Sequence, residues 1–175
     1  YPFVQYEFMA LLESSGCVGG RSGWLPRHIL VWQGDKLVAA MPGFIKSHSY
    51  GEYVFDWSWA DAYGRHGLDY YPKWINAMPF TPATGPRLAI SPGVAAEAVV
   101  QALGQAWQAL LQEGVHSLHS LFPDVESFKA LPKQWHTRWG CQFHWFNTGF
   151  KNWQDFLDQC NSRKRKMMVK ERQKV

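Results

Sequence analysis

Four side chains in this sequence are of types that accept and donate protons in catalysis. Asp56 and Asp61 lie in a stretch rich in aromatic residues. His119 lies in an alternating apolar run, and His144 lies in a second aromatic run. Carboxylates and imidazoles are common general acids and bases, so all four are candidates for that role. For His119, a histidine hydrogen-bonded within a strand is the simpler interpretation.

A proline-rich loop at residues 79–87 has the composition of a ligand-binding segment. Its three prolines fix φ and remove backbone donors, so the loop should be rigid and irregular. Rigid loops at the ends of strands suit ligand binding, and an arginine in such a loop offers charge-assisted hydrogen bonds to a carboxylate or phosphate. A plain structural turn is the other open interpretation. The predicted substrate-binding residues are Phe80, Thr81, Pro82, Thr84, Gly85 and Arg87.

A cluster of basic residues lies near the end of the sequence. Positions 163–175 carry seven Lys or Arg and one Glu, whereas the net charge of the chain is only +4. Proteins that coat nucleic acid usually spread positive charge along a face, so this pattern favours one local anion site. We predict that the cluster binds a phosphate-bearing donor; the alternative is a solvated helix face. The residues concerned are Arg163, Lys164, Arg165 and Lys166.

Neither a tightly bound cofactor nor a metal ion is expected. Residues 101–106 match a pyrophosphate-binding pattern of acetyl-CoA-dependent acetyltransferases, but they fall in the middle of a predicted helix, where the amides are already hydrogen-bonded. The seven histidines do not stand with cysteine or carboxylate at a usual ligand spacing.

Hydrophobic periodicity predicts an α/β fold with a mixed, mostly antiparallel sheet flanked by helices. The longest helix should start after Ser91-Pro92 and pack through Ala95, Val99, Leu103 and Leu110. The aromatic stretch at residues 50–59 is interpreted as core filling, with a ligand groove as the alternative. The predicted helices cover residues 3–15, 92–113, 124–130 and 152–168, and the predicted strands cover residues 28–32, 36–45, 73–78, 88–90, 115–122 and 135–147. Gly34-Asp35 predicts a hairpin between the first two strands, Asp124 is placed to start the third helix, and Asn152 is placed to cap the last.

Composition limits the class of protein. A chain of 175 residues with 46% hydrophobic content can bury the core of one domain and is not disordered. Three scattered cysteines give no disulfide framework, which predicts a reducing compartment and a cytoplasmic location. No apolar run approaches the roughly 20 residues of a membrane span. Because the sequence begins without Met and stops in a charged segment, we expect it to be part of a longer protein.

Several stretches of the sequence resemble the bacterial FemAB-like family, which is placed in the GNAT superfamily of N-acyltransferases. The resemblance extends over nearly the whole chain. It implies that residues 1–160 are the first of two GNAT-like halves, and that the basic helix at residues 161–175 leads into a second half absent from this chain. The stretches that carry the resemblance are residues 47–57, 79–87, 121–123, 142–145 and 162–166.

Two classes of function follow from this resemblance. Fem ligases move an aminoacyl group from aminoacyl-tRNA to an amine of a peptidoglycan precursor. The first expectation is therefore N-acyl or aminoacyl transfer to an amine, from an acyl-CoA or aminoacyl-tRNA donor, with this chain as the acceptor-side half. The second is an inactive GNAT-like binding module that recognises a cell-wall fragment, an acidic partner or tRNA.

Overall fold

The computed structural model describes residues 1–174, which divide into two compact units, Tyr1–Trp135 and His136–Val175. Seven strands and four α-helices lie in the first unit, and two α-helices lie in the second. The strands are β1 Trp24–Pro26, β2 Ile29–Gln33, β3 Lys36–Met41, β4 Phe44–Lys46, β5 Lys73–Asn76, β6 Ala89–Ile90 and β7 Ser117–Ser120. The helices are α1 Tyr6–Ser14, α2 Trp57–Arg65, α3 Ala96–Gln112, α4 Val125–Ala130, α5 Trp153–Gln159 and α6 Ser162–Arg172.

The strands form two sheets, whereas the sequence predicted one. The four-stranded sheet has the order β1-β4-β5-β7, in which only β5 and β7 are parallel. The three-stranded sheet has the order β2-β3-β6 and is antiparallel throughout. The predicted hairpin at Gly34-Asp35 is confirmed, since β2 and β3 pair across it. The fold is therefore mixed α/β with mostly antiparallel pairing.

The break between the sheets lies at Pro42-Gly43, where the sequence predicted one continuous strand over residues 36–45. Proline has no N–H to donate to a strand ladder. Gly43 lies flat against the indole of Trp74, which leaves no room for a Cβ atom. The chain therefore leaves the three-stranded sheet after Met41 and enters the four-stranded sheet at Phe44.

Helix α3 supplies much of the core. It begins at Ala96, four residues later than predicted, because Pro92 and Gly93 form a turn in which Gly93 has a φ of 81°. The predicted apolar face is confirmed at Val99, Leu103 and Leu110, and Trp107 joins it. The face packs in one core cluster with Ile29, Ala39, Met41, Trp74 and Val115.

The pyrophosphate-like pattern of residues 101–106 lies in the middle of α3, as predicted. Its backbone amides are therefore engaged by carbonyls one turn earlier in the helix. Across residues 1–174, no helix is both long and apolar enough to cross a membrane.

The second unit differs most from the sequence prediction. The strand predicted over residues 135–147 is wrong, because these residues form no strand ladder. The predicted final helix is two helices, since the Asn161 side chain accepts a hydrogen bond from the Lys164 amide and starts α6 anew. The predicted N-cap at Asn152 is confirmed, where the side chain accepts from the Asp155 amide. Val175, part of the predicted basic helix, lies outside the described residues.

Replacing Leu103 with Asp should lower the free energy of unfolding by about 3 kcal/mol or more, because Leu103 is only 1% exposed and the new carboxylate would be buried without a partner. Chemical denaturation of both proteins measures the loss. Leu111→Asp is the matched control, since Leu111 lies on the exposed side of the same helix. Equal losses for both variants would contradict the packing assigned to α3.

Candidate functional site

Two lysines lie side by side in the interior of the first unit. The antiparallel pairing of β4 with β5 sets Lys46 directly opposite Lys73, and residues paired in this way project from the same face of the sheet. Both side chains are fully buried, with 0% exposure. Burying an ammonium group costs several kcal/mol unless counter-charges and hydrogen bonds compensate it. The groups that surround these two lysines therefore form a candidate functional site.

The Lys73 ammonium is held by three side chains from the connection after β4. Its Nζ donates to Ser49 Oγ at 2.8 Å, to Glu52 Oε2 at 2.7 Å and to Asp56 Oδ2 at 2.6 Å. An ammonium group has three N–H donors, and all three are engaged. Glu52 and Asp56 are themselves buried, so the two ion pairs are screened little by water.

Two tyrosines complete this buried group. The Tyr70 hydroxyl donates to Asp56 Oδ2 at 2.6 Å, and the Tyr71 hydroxyl and Ser49 Oγ are hydrogen-bonded at 2.7 Å. Burial and the adjacent Asp56 carboxylate raise the pKa of Tyr70 well above its ordinary value, so the hydroxyl remains a donor. Lys46, Ser49, Glu52, Asp56, Tyr70, Tyr71 and Lys73 are hereafter the lysine cluster.

The two carboxylates of the lysine cluster are stabilised unequally. Burial alone would raise the pKa of Asp56, but hydrogen bonds from Lys73, Ser49 and Tyr70 hold it at about 2. Burial raises the pKa of Glu52, and the attraction of Lys73 offsets this only in part. Asp56 is therefore firmly ionised, whereas Glu52 is the carboxylate that the fold accommodates less well.

Three buried polar atoms at this place lack a hydrogen-bond partner in the described chain. They are Glu52 Oε1, Asp56 Oδ1 and the indole Nε1 of Trp24. Buried polar atoms are hydrogen-bonded in the great majority of cases, and each exception calls for an explanation. The two carboxylate oxygens can accept further hydrogen bonds without any rearrangement of the bonds to Lys73.

Lys46 keeps spare donor capacity. Its Nζ donates to the Tyr50 carbonyl at 3.1 Å and lies 4.0 Å above the centre of the Trp24 ring. One of its three N–H groups is thus hydrogen-bonded to the chain. Burial lowers the pKa of Lys46 to about 8, although the nearby Glu52 carboxylate acts in the opposite direction. Displaced pKa values of this kind are frequent at functional sites.

His119 lies on β7, the strand next to Lys73. Its Nε2 and Ser117 Oγ are hydrogen-bonded at 2.7 Å, and its ring meets that of Tyr70 edge-on. Burial and the positive charge of Lys73 lower the pKa of His119 to about 4. The imidazole is therefore neutral at neutral pH and is a weak base.

The four proton-transfer candidates from the sequence fall into two pairs. Asp56 and His119 both lie at the lysine cluster. Asp61 forms an ion pair with Arg65 at 2.9 Å on the exposed surface of α2. His144 is exposed in the second unit. Burial and neighbouring groups thus distinguish the two pairs of candidates in the structure. Their spacing in the sequence did not distinguish them.

The aromatic stretch at residues 50–59 does not fill the core, contrary to the preferred interpretation of the sequence. Tyr50 is 67% exposed and Phe55 is 69% exposed, and Tyr53, Trp57 and Trp59 are exposed as well. Tyr53 and Phe55 have φ values of 62° and 50°, in the left-handed region that residues with a Cβ atom rarely adopt. The backbone turns this way because Glu52 and Asp56 point inward to Lys73.

Arg87 is buried in the loop predicted to bind substrate. Its guanidinium donates to the backbone carbonyls of Leu121, Pro86 and Ala83 at 2.7, 3.1 and 2.7 Å. The side chain therefore fastens its own loop, and its predicted contact with an acceptor anion stays a prediction.

The rest of the predicted substrate loop is also held by internal contacts. The Thr81 hydroxyl donates to the Pro79 carbonyl, and Gly85 exchanges backbone hydrogen bonds with Phe122 and Asp124. Phe80 is the most open of the large side chains in the loop, at 45% exposure, with its ring against that of Trp24. Pro82 is half-buried and Thr84 is exposed.

In the second unit, the predicted donor-binding residues lie at the start of α6. Arg165 donates from Nε to the Leu157 carbonyl and from Nη2 to the carbonyls of Asp158 and Cys160, so it caps the end of α5. Arg163, Lys164 and Lys166 are exposed. Three of the four predicted residues are therefore open to an anion, and the fourth has a structural task.

Sequence reasoning missed Lys46, Glu52, Tyr70 and Lys73. A signal was present, because Lys46 and Lys73 each stand at the end of an apolar strand segment, Phe44-Ile45-Lys46 and Lys73-Trp74-Ile75. A lysine in such a run is either at a solvated strand end or buried with a partner. Only the pairing of β4 with β5 shows which of these two environments the lysines have.

A buried cluster of ionisable groups with displaced pKa values is a candidate for a ligand-binding or catalytic site. The family model for FemAB-like proteins, described as peptidoglycan biosynthesis/recognition, matches residues 1–175. This chain belongs to the FemAB-like family, which links it to peptidoglycan biosynthesis or recognition. No curated protein matches the chain significantly. No solved structure does so either.

Replacing Lys46 with Met should change how stability depends on pH. The folded-state pKa of about 8 lies below the ordinary value of 10.5, so the unfolded chain binds more protons between these values. Below pH 8 the buried amine is protonated, so the whole cost of burying its charge lowers the free energy of unfolding. As the pH rises above 8 the amine loses its proton and this cost decreases. Relative to Lys46→Met, the wild-type free energy of unfolding should therefore rise between pH 8 and 10, by up to about 1.4 kcal/mol per pH unit. Urea denaturation at several pH values measures this, and parallel profiles would contradict it.

Proposed function

We propose that this chain takes part in N-acyl or aminoacyl transfer to an amine acceptor such as a peptidoglycan precursor, as the acceptor-side half of the enzyme. The lysine cluster is the single observation that carries the proposal. Its four buried charges cost stability that apolar residues of similar size would not, so the cluster is poorly explained as a stabilising element. Membership of the FemAB-like family supports peptidoglycan as the source of the acceptor.

The chemistry of amine acylation fits the groups at the lysine cluster. An acceptor amine is protonated at neutral pH and must lose a proton before it attacks an acyl carbon. Asp56, with one buried oxygen lacking a partner, can accept a hydrogen bond from the ammonium group. The first proton passes to water as the amine binds. His119, a neutral and weak base, can take the second proton, which the nitrogen releases after it attacks the acyl carbon and becomes strongly acidic. The CoA thiolate or the tRNA hydroxyl group leaves with the electron pair of the broken acyl bond. Holding the amine close to the acyl carbon, away from water, contributes the rest of the rate acceleration and limits hydrolysis of the donor.

The donor is proposed to be acyl-CoA or aminoacyl-tRNA, with the exposed basic residues Arg163, Lys164 and Lys166 contacting its phosphates. The mixed α/β fold is compatible with a GNAT-like domain, and a second half outside this chain would hold the rest of the donor. Three exposed cations on the first turn of a helix can neutralise a few phosphates.

A binding module is the second candidate function. Its supporting observation is the exposed aromatic stretch of Tyr50, Tyr53, Phe55, Trp57 and Trp59. Aromatic rings in a row on a surface are a common means of recognition, and recognition requires no turnover. Such a module would bind a cell-wall fragment, an acidic partner or tRNA with saturation and without any transfer.

The four proton-transfer candidates provide a matched test of catalysis. We expect Asp56→Asn and His119→Gln each to lower the rate of transfer about 100-fold, since a lost general base or orienting carboxylate has an effect of that size. Asp61→Asn and His144→Gln remove the same groups from exposed positions and should change the rate less than about twofold. The assay follows label from acyl-CoA or aminoacyl-tRNA into amine acceptors, using the full-length protein.

Melting temperatures of all four variants must accompany this assay, because Asp56→Asn also removes a buried ion pair. Normal activity of His119→Gln, or equal losses at the exposed positions, would exclude these roles. Saturable binding of a cell-wall fragment without transfer from either donor would favour the binding module.

A further inference from the structure

The segment of residues 50–55 joins two members of the lysine cluster, Ser49 and Asp56. Its side chains alternate, with Glu52 buried and Tyr53 and Phe55 exposed. Residues 53–55 make no backbone hydrogen bond within the described chain. The segment is held from within by the Glu52 carboxylate on Lys73, by the Tyr50 carbonyl on Lys46, and by Val54, which packs against the cluster around Trp24.

Two more features lower the free energy that is needed to open this segment. Tyr53 and Phe55 each hold a positive φ, which is strained for a residue with a Cβ atom. Both flanks of the segment are fixed, Ser49 by Lys73 and Tyr71 and Asp56 by Lys73 and Tyr70. A segment with few backbone hydrogen bonds between fixed ends is where local opening occurs at least cost.

Movement of Glu52 would leave an anion site behind. Lys73 would regain one N–H, and Lys46 already has two N–H groups without a hydrogen-bond acceptor in the described chain, although its Nζ lies over the Trp24 ring. Asp56 would then balance only one of the two ammonium charges. The vacated position lies beside the Ser49 and Tyr71 hydroxyls and is shaped for a carboxylate, since a carboxylate fills it in the closed form.

We propose that Glu52 is an internal stand-in for the carboxylate of a ligand, and that residues 50–55 are a lid, hinged at Ser49 and Asp56, which swings out when that carboxylate binds Lys46 and Lys73. The hydrogen bonds of Glu52 favour its displacement. The buried Glu52 Oε1 has no hydrogen-bond partner in the described chain, whereas both oxygens of an incoming carboxylate can bind the two lysines. The proposal rests on the proposed function in one respect, that the carboxylate belongs to the amine acceptor.

Acetate tests the anion site in the chain itself. In Glu52→Ala at pH 7, replacing chloride by acetate at constant ionic strength should raise the melting temperature by about 3 °C, because acetate binds only the folded form. Glu126→Ala removes an exposed glutamate paired with Lys129 and should show no acetate-dependent rise. Adding Lys46→Met to Glu52→Ala should abolish the effect. Inorganic phosphate as a second probe should stabilise Glu52→Ala less, because a larger dianion does not fit the space of a carboxylate.

A folded Glu52→Ala variant without an acetate-dependent rise, or the same rise in Glu126→Ala, overturns the proposed site. Stronger stabilisation by phosphate than by acetate overturns its assignment to a carboxylate.

Lid opening is tested without altering Glu52. Acetylation of Lys46 and Lys73 by an N-hydroxysuccinimide ester, followed by mass spectrometry, reports opening, and exposed Lys36 provides the reference rate. Tyr53→Gly relieves the positive φ in the closed form and should slow labelling of both buried lysines about fivefold. Tyr50→Gly removes an exposed ring of the same segment that has no positive φ, and should not slow it.

Unchanged or faster labelling in Tyr53→Gly overturns the lid. If acetate does not bind but transfer is observed, the carboxylate site is wrong and the proposed function is not affected. If acetate binds but no transfer is observed, the carboxylate site is supported and the binding module becomes the favoured function. The two proposals therefore fail separately.

Discussion

The buried ammonium of Lys73 is the constraint on which the rest of the first unit depends. Burying an ammonium is costly unless acceptors and counter-charges surround it, and the neighbouring strand offers only a second lysine, Lys46, beside it. The connection after β4 must therefore fold back and deliver Ser49, Glu52 and Asp56. Asp56 makes no side-chain cap for α2, although it occupies the N-cap position, because its carboxylate serves Lys73 instead.

The surface character of residues 50–59 is a consequence of this inward turn. With acidic side chains directed to Lys73, the aromatic residues between them can only point outward, and the backbone adopts positive φ at Tyr53 and Phe55 to allow it. A row of exposed rings is thus produced by the same contacts that bury the charges. The proposed chemistry at the lysine cluster and the proposed recognition at the surface therefore both depend on this segment.

Each of the two predicted anion-binding sites contains an arginine that the fold uses for its own backbone. Backbone carbonyls engage the guanidinium groups of both Arg87 and Arg165. Arginine has five donors in a planar fork, which suits it to fasten loops and cap helix ends. Lysines with spare N–H groups remain available, at the lysine cluster and on α6.

The sequence alone determined features that depend on neighbouring residues: the hairpin at Gly34-Asp35, the apolar face of α3, and the helix caps at Asp124 and Asn152. Turn chemistry, helical periodicity and capping act over a few residues, so they can be read directly. Tertiary structure decided the division into two sheets, the engagement of Arg87 by carbonyls, and the exposure of residues 50–59. It also decided that Lys46 and Lys73 meet, because strand pairing joins residues 27 positions apart and no local pattern encodes which partner a strand will choose.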